Sequence, residues 1–425
     1  MNKLKKISAL NKLLVGTAGL FSLGLGLSFV FNWGITKILP QEEVGFFQYY
    51  NAIITLGMVV IPFGYQSLIQ REASSLNKYS LKQYNVQTFI TIAIGSICFG
   101  GIWSYGVLKL NWVNGLNDFT GLYLAILLLP TYALLTYYRA LLQGQNKVYW
   151  SILPEVIFRP LTLLIVCALF YIISFKAKAH HLLLTLLITL GILIIPSAIQ
   201  SKKNLPAISE KEEKPQWLKQ ALALLPIGLL YTINERIDII MISKHLTASD
   251  IAIYNVAYKF AAFSAFGLVI INSVMVPLIA KHFNSNEKAI NLESLIKPNI
   301  RKAFFISSII AIILIAFGKH LLSLFGKDTE NYSIGYISMI ILIFGQITNV
   351  AMGSVGYLLT MAKLEKLAII SIISSIIVNV TLNYLLLPIY GIEGAAISTT
   401  LAMIVWNVLM LIFVKIKTDI NPTVL

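Results

Sequence analysis

The sequence predicts an all-α membrane protein of about twelve transmembrane helices in two six-helix lobes. Three observations carry that expectation: composition, the recurrence of apolar runs, and the placement of charge. The 425 residues are 57% hydrophobic and 12% charged, with a mean hydropathy of +0.79. Soluble domains are about 45–50% apolar and about 25% charged, so lipid is the solvent this chain fits. Lys and Arg number 33 against 18 Asp and Glu, a formal net charge of +15. In a soluble protein that excess would suggest nucleic acid. Here a positive-inside bias accounts for it more simply.

A spanning helix needs roughly 20 apolar residues. Such runs recur at 13–33, 44–69, 86–108, 121–142, 148–173, 182–199, 221–243, 251–280, 303–325, 334–361, 367–387 and 394–414. An even number places both termini on one side. With the N-terminus cytoplasmic, the cytoplasmic segments hold 22 basic residues and the outer loops hold 7. That bias orients the chain with both ends inside. The basic stretch Met1–Lys12 precedes an apolar run long enough to span, so it reads as the flank of a retained first helix rather than a cleaved signal.

The longest loop, 200–220, contains Glu210-Lys-Glu-Glu-Lys214 and two prolines. It reads as a cytoplasmic linker at 201–220 between lobes at 1–200 and 221–425. The lobes share a local pattern. Lys37-Ile-Leu-Pro-Gln-Glu-Glu43-Val-Gly-Phe-Phe47 matches Lys244-His-Leu-Thr-Ala-Ser-Asp250-Ile-Ala-Ile-Tyr254 at a constant offset of 207. The blander reading is two helix starts with an acidic first turn. An internal duplication with the same starting side means a parallel repeat, in which substrate sits between halves that rock against each other.

Charges within spans are costly and mark paths or cavities. Glu155 and Arg159 are four apart on one helix and can pair. Arg139 and Arg71 lie near span ends, where they can snorkel to phosphates. Asn234-Glu235-Arg236-Ile237-Asp238 and Lys259 fall on neighbouring spans at similar depth, and Asp238–Lys259 is a candidate strut. The candidate substrate residues are therefore Arg71, Arg139, Arg159, Arg236 and Lys259, a cationic lining for an anionic headgroup. Glu155, Glu235 and Asp238 are candidates for H+ or Na+ coupling. Asn272, Asn349, Asn379, Asn383 and Asn407 read as helix-joining amides. Gly16, Gly19, Gly24 and Gly26 make the first span pliable or closely packed. Pro62, Pro130, Pro154, Pro160, Pro196, Pro226 and Pro277 interrupt helix ladders. Cys98 and Cys167 read as packing residues, and the five histidines make no metal spacing. No nucleotide or hydrolase motif is present, so neither ATPase nor hydrolase activity is expected.

Four stretches carry a family resemblance. They are Ile38–Phe47 with Gly64–Glu72; Tyr138–Gly144 with Glu155–Pro160; Ile237–Ser243 with Tyr254–Lys259; and Asn379–Asn383 with Pro388–Ala396. In order, over the whole chain, they resemble the repeat-unit flippases of polysaccharide biosynthesis. Those are the O-antigen (lipopolysaccharide), capsule and exopolysaccharide transporters of the multidrug/oligosaccharidyl-lipid/polysaccharide exporter superfamily. The resemblance implies two lobes in a V around a central cavity in the bacterial inner membrane. It implies a lipid-linked oligosaccharide on undecaprenyl diphosphate moved from the inner to the outer face by alternating access, with ion coupling. A polysaccharide polymerase and chain-length machinery are the implied partners. Outward movement of an anion gains about 2.3 kcal/mol per charge per 100 mV. A cation-coupled drug exporter would share the fold but favour an acidic cavity. A lipid II flippase would add two helices. A non-transporting scaffold would leave the embedded charges without a purpose.

Overall fold

The computed structural model describes residues 2–73, 78–113, 115, 119–202, 217–284, 292–327 and 330–424. The proposed linker falls mostly on 203–216, outside the described residues.

The described residues are almost wholly helical, with no strand among them. In chain order the helices are α1 (Asn2–Ile38), α2 (Gln41–Val60), α3 (Tyr65–Glu72), α4 (Lys78–Lys109), α5 (Thr120–Gly144), α6 (Val148–Leu153) and α7 (Arg159–Ile172). There follow α8 (Ala179–Lys202), α9 (Trp217–His245), α10 (Ala248–Phe263), α11 (Phe266–Asn284), α12 (Leu292–Ser323), α13 (Tyr336–Met352), α14 (Val355–Met361) and α15 (Glu365–Thr418). A π-helical turn, Pro154–Phe158, joins α6 to α7.

Eight helical segments are long and apolar enough to span alone, and two bent pairs, α2–α3 and α10–α11, raise the number to 10 among the described residues. α15 has 54 residues. At about 1.5 Å per residue it is far longer than the roughly 30 Å hydrocarbon core. It folds back where Gly391 leaves helical geometry (φ 56°, ψ −138°), three residues after Pro388, and so provides two spans. α9 is of spanning length, with 29 residues. Its charged run Glu235-Arg236-Ile237-Asp238 dilutes its hydropathy. With α9 and both halves of α15 counted, the described residues give the twelve spans that the sequence predicts.

The chain divides into two compact units, Met1–Thr232 and Ile233–Leu425. In the first, α2 and α3 meet at 55° across Ile61–Gly64, where Pro62 interrupts the ladder. The core there is aromatic. Tyr65, Tyr84, Tyr137 and Trp217 are all buried, with Tyr84 and Trp217 ring centroids 4.9 Å apart. α1 packs on the π-helical turn. A Cβ on Gly24 would lie 2.6 Å from the Val156 carbonyl oxygen, so only glycine permits this approach. Gly19 and Gly26 meet nothing within 4 Å.

In the second unit, α10 and α11 meet at 53°, with no proline at the break. The matched acidic residues of the two units act differently. Asp250 closes a capping box with Thr247 at the start of α10. Glu43 Oε2 instead accepts from the backbone N–H of Ala179 at 2.7 Å, tying α2 to the start of α8. The segment 419–424 folds back on its own unit. The N–H of Val424 donates to the Ala351 carbonyl at 3.0 Å, and Arg301 Nε donates to the Val424 carbonyl at 3.0 Å. Gly353 sits at φ 76°, and a Cβ there would lie 2.3 Å from the Pro422 carbonyl.

Candidate functional site

The charged residues of the spans form two separate clusters, one in each unit. In the first unit, Asn51 on α2, Tyr132 and Arg139 on α5, Glu155 in the π-helical turn and Arg159 at the start of α7 make one continuous network. Arg139 Nη1 pairs with Glu155 Oε2. Tyr132 Oη donates to Glu155 Oε1 at 3.1 Å and accepts from Arg159 Nη1. Arg159 Nη2 donates to Asn51 Oδ1 at 3.0 Å. The cluster thus holds two guanidinium groups and one carboxylate, with Arg139 on the carboxylate directly and Arg159 linked to it only through Tyr132, so it carries a net positive charge.

The turn that holds Glu155 has a local cause. Pro154 and Pro160 both lack an N–H, and the ladder between them widens until the N–H of Arg159 bonds the Pro154 carbonyl five residues back. Such π-helical turns recur at functional sites. The spacing of Glu155 and Arg159 suggests an intrahelical pair, but the structure pairs Glu155 with Arg139 on α5. The reason is tertiary: α5 presents a guanidinium and a phenol side by side. Arg139 and Tyr132 are seven residues apart, two turns along one face.

Arg71 lies outside this network. It ends α3, pairs with Glu72 at 3.1 Å and donates to Gln220 Oε1 at 3.3 Å. Its side chain is 56% exposed, so this pair contributes little to stability.

In the second unit, Asp238 on α9 is 3% exposed. Its Oδ1 accepts from Asn379 at 3.0 Å and Asn383 at 3.2 Å. Its Oδ2 accepts from Tyr254 at 3.1 Å and Thr399 at 2.7 Å. All four bonded side chains are uncharged, so the strut expected between Asp238 and Lys259 is replaced by a polar cage. The cage draws on α9, α10 and both halves of α15. Asn379 and Asn383 are one turn apart on the first half, and the fold-back at Gly391 brings Thr399 across from them. Asn383 donates to Asn379 Oδ1 at 2.8 Å, while its own buried Oδ1 receives no hydrogen bond.

The other residues of this stretch take different faces. Glu235 is exposed, and Arg236 and Lys259 are half-buried. Arg236 Nε is buried without an acceptor. Of the cage, the sequence marks Asp238 as costly and Asn379 and Asn383 as bonding amides. Thr399 goes unmarked, because one hydroxyl in Ser398-Thr399-Thr400 carries no local signal.

The Asp238 cage offers carboxylate, amide and hydroxyl oxygens only. Such a set suits a small hard cation or a proton, not a transition metal. No group of three or more His, Cys, Asp or Glu residues fit to hold a metal occurs among the described residues. The buried, undonated Asn383 Oδ1 is the acceptor that a cation would use.

The spans and their embedded charge clusters define a polytopic membrane protein. The chain belongs to the polysaccharide biosynthesis protein family, whose model matches residues 15–283. The MatE model matches residues 223–385. No curated protein sequence matches the chain significantly. Among solved structures, the chain is similar to a lipid II flippase MurJ in an inward closed conformation, with a TM-score of 0.76, 16% identity, and coverage of 94% of this chain and 87% of that one. It is also similar to an inward-facing multidrug resistance MATE transporter, with a TM-score of 0.69, 14% identity and 94% of each chain covered. A third is the MATE multidrug transporter DinF-BH, with a TM-score of 0.62, 17% identity and 97% of each chain covered. These likenesses establish the twelve-helix, two-lobe fold.

Proposed function

We propose that this protein is a flippase for a lipid-linked oligosaccharide. The cargo is an oligosaccharide repeat unit on undecaprenyl diphosphate, carried from the cytoplasmic to the outer face of a bacterial inner membrane by alternating access. One observation carries the reading: two guanidinium groups embedded in spans are linked to one carboxylate, Arg139 by a direct ion pair with Glu155 and Arg159 through the Tyr132 hydroxyl. A diphosphate leaving water needs that surplus positive charge. Arg236 and Lys259, with Arg71 near a span end, add cationic groups of the same kind. A cationic drug would meet repulsion at such a network, so the exporter reading has less support.

Coupling is assigned to the Asp238 cage, with Na+ or H+ as the driving ion. A caged carboxylate with a spare acceptor gains a partner when a cation arrives. Glu155 and Glu235 are the lesser candidates, one because it already holds a guanidinium and the other because it is exposed. In this reading both termini are cytoplasmic, and a polysaccharide polymerase and chain-length machinery act downstream.

The test is deletion of the gene, followed by measurement of lipid-linked glycan on each membrane face. The expected result is accumulation on the inner face and loss of surface polysaccharide, restored by the wild-type gene but not by Arg159→Ala. Unchanged surface polysaccharide would overturn the reading.

A further inference from the structure

Away from both charge clusters, the first unit has a groove of about 510 Å³ lined by Tyr65, Gln87, Ile90, Thr91, Trp217 and Lys219, with Leu218 beside them. It lies where α3, α4 and the start of α9 meet. We infer that this groove binds an anionic membrane phospholipid, its phosphodiester on Lys219 and Gln87 and an acyl chain along Ile90 and Leu218.

Four features of the groove point to that ligand. The first is depth. Gln87 and Thr91 lie six and ten residues inside the spanning segment that begins at Leu81. At about 1.5 Å per residue this is roughly 9–15 Å from its end, the zone where headgroup gives way to acyl chain. The second is chemistry that changes along the groove. Its rim is apolar and open, with Ile90 54% and Leu218 52% exposed, while its wall is aromatic and buried, formed by Tyr65 and Trp217. Trp and Tyr are enriched at this level of a bilayer because one end of the ring is apolar and the other wet.

The third is the set of unspent donors. Tyr65 Oη donates to Gln87 Oε1 at 3.3 Å, so that bond uses the acceptor of the Gln87 side chain and not its amide N–H donors. Thr91 donates to the Gln87 carbonyl at 2.7 Å and presents its methyl and a lone pair. The Lys219 ammonium pairs with no carboxylate among the described residues. The fourth is charge arithmetic. Arg71, linked to the same stretch of α9 through Gln220, already spends its charge on Glu72. Among the residues that line the groove Lys219 is the one cation, which matches a monoanionic phosphodiester better than the diphosphate of the cargo. A lysine at this level can lay its stem along the apolar wall and raise its ammonium to the phosphate.

The inference does not depend on what the protein transports. Its test uses the full chain reconstituted in bilayer nanodiscs of phosphatidylcholine doped with lipid bearing brominated acyl chains, which quench nearby tryptophan emission. The Trp217 signal is taken as the difference between wild type and Trp217→Phe. Doped phosphatidylglycerol is expected to quench that signal with about a fivefold preference over doped phosphatidylcholine, the factor for one basic residue at an anionic surface. Lys219→Gln, an exposed change that leaves the fold intact, is expected to abolish the preference. Thr91→Phe, which fills the groove and keeps the lysine, is expected to abolish it as well. Equal quenching by the two lipids overturns the inference. So does a preference that survives Lys219→Gln, or one that survives Thr91→Phe and therefore reflects general surface attraction. Displacement of phosphatidylglycerol by an equal dose of polyprenyl phosphate would reassign the groove to the cargo lipid and overturn it too.

Discussion

At the scale of single residues, the two charge clusters differ in how they tolerate change. Arg139 and Glu155 are 33% and 17% exposed, so their pair lies between an exposed ion pair and a buried one. Removing one partner strands the other, at a cost between ~1 kcal/mol for exposed pairs and ~3–5 kcal/mol for buried ones. Arg139→Ala and Glu155→Ala are each expected to lower the thermal midpoint of the purified protein. The double variant is expected to recover part of that loss, because neither member of the pair is left without the other. A strictly additive double variant would show that the two residues do not act as a pair. Asp238 calls for a different comparison. Asp238→Asn keeps the shape of the cage and removes its charge. The wild type is expected to gain thermal stability when Na+ replaces choline in the buffer, by the usual ligand linkage. Asp238→Asn is expected to lose that gain while still folding. If neither Na+ nor a change of pH separates the two proteins, Asp238 is not a coupling site.

At the scale of elements, breaks matter more than the regular helix between them. The segment 419–424 bonds the end of α13 and the side of α12, and Gly353 makes its close approach possible. At φ 76°, ψ −156° a side chain costs on the order of 1–3 kcal/mol for the backbone conformation alone, and the contact with Pro422 adds to it. Gly353→Ala is therefore expected to speed amide hydrogen exchange at 351–354. Gly26→Ala serves as the control. It is helical with open space around it and is expected to be neutral or slightly stabilising. Removing 419–424 is expected to reproduce the Gly353→Ala pattern. Protection at 351–354 that survives both changes would mean the segment does not secure this break.

The positions of the elements were legible in the sequence, because hydropathy is a local property. The run 148–173 is the α6, π-helical turn and α7 segment, and the runs 367–387 and 394–414 are the two halves of α15. What joins them was less legible. That Glu155 would turn to Arg139, and that Asp238 would take four neutral partners rather than Lys259, depend on which helices become neighbours, and one sequence does not specify that. Thr399 shows the limit. Its role comes from the fold-back at Gly391, since its own neighbours mark nothing.

For the whole molecule, the strongest sequence-level statement is the distribution of charge. With 22 basic residues assigned to one side and 7 to the other, both termini are expected to face the cytoplasm. Single cysteines placed in a Cys98→Ser/Cys167→Ser background provide the check. Thiols at Lys147 and Lys363 are expected to resist an impermeant maleimide applied to intact cells, while one at Lys176 is expected to react. The reverse pattern would invert the topology and with it the direction assigned to transport.

The Asp238 cage also sets a timetable. Its carboxylate is 141 residues ahead of Asn379 and 161 ahead of Thr399 along the chain. At synthesis rates of about 5–20 residues per second, α9 emerges on the order of ten seconds before Asn379, Asn383 and Thr399 exist. During that interval the carboxylate must wait in or beside the bilayer with only Tyr254, 16 residues on, of its four cage partners made. Nascent chains halted before residue 379 are therefore expected to keep α9 loosely inserted and extractable. Chains carried past residue 399 are expected to hold it fast, so the burial of one early helix is completed by the last hairpin to be made.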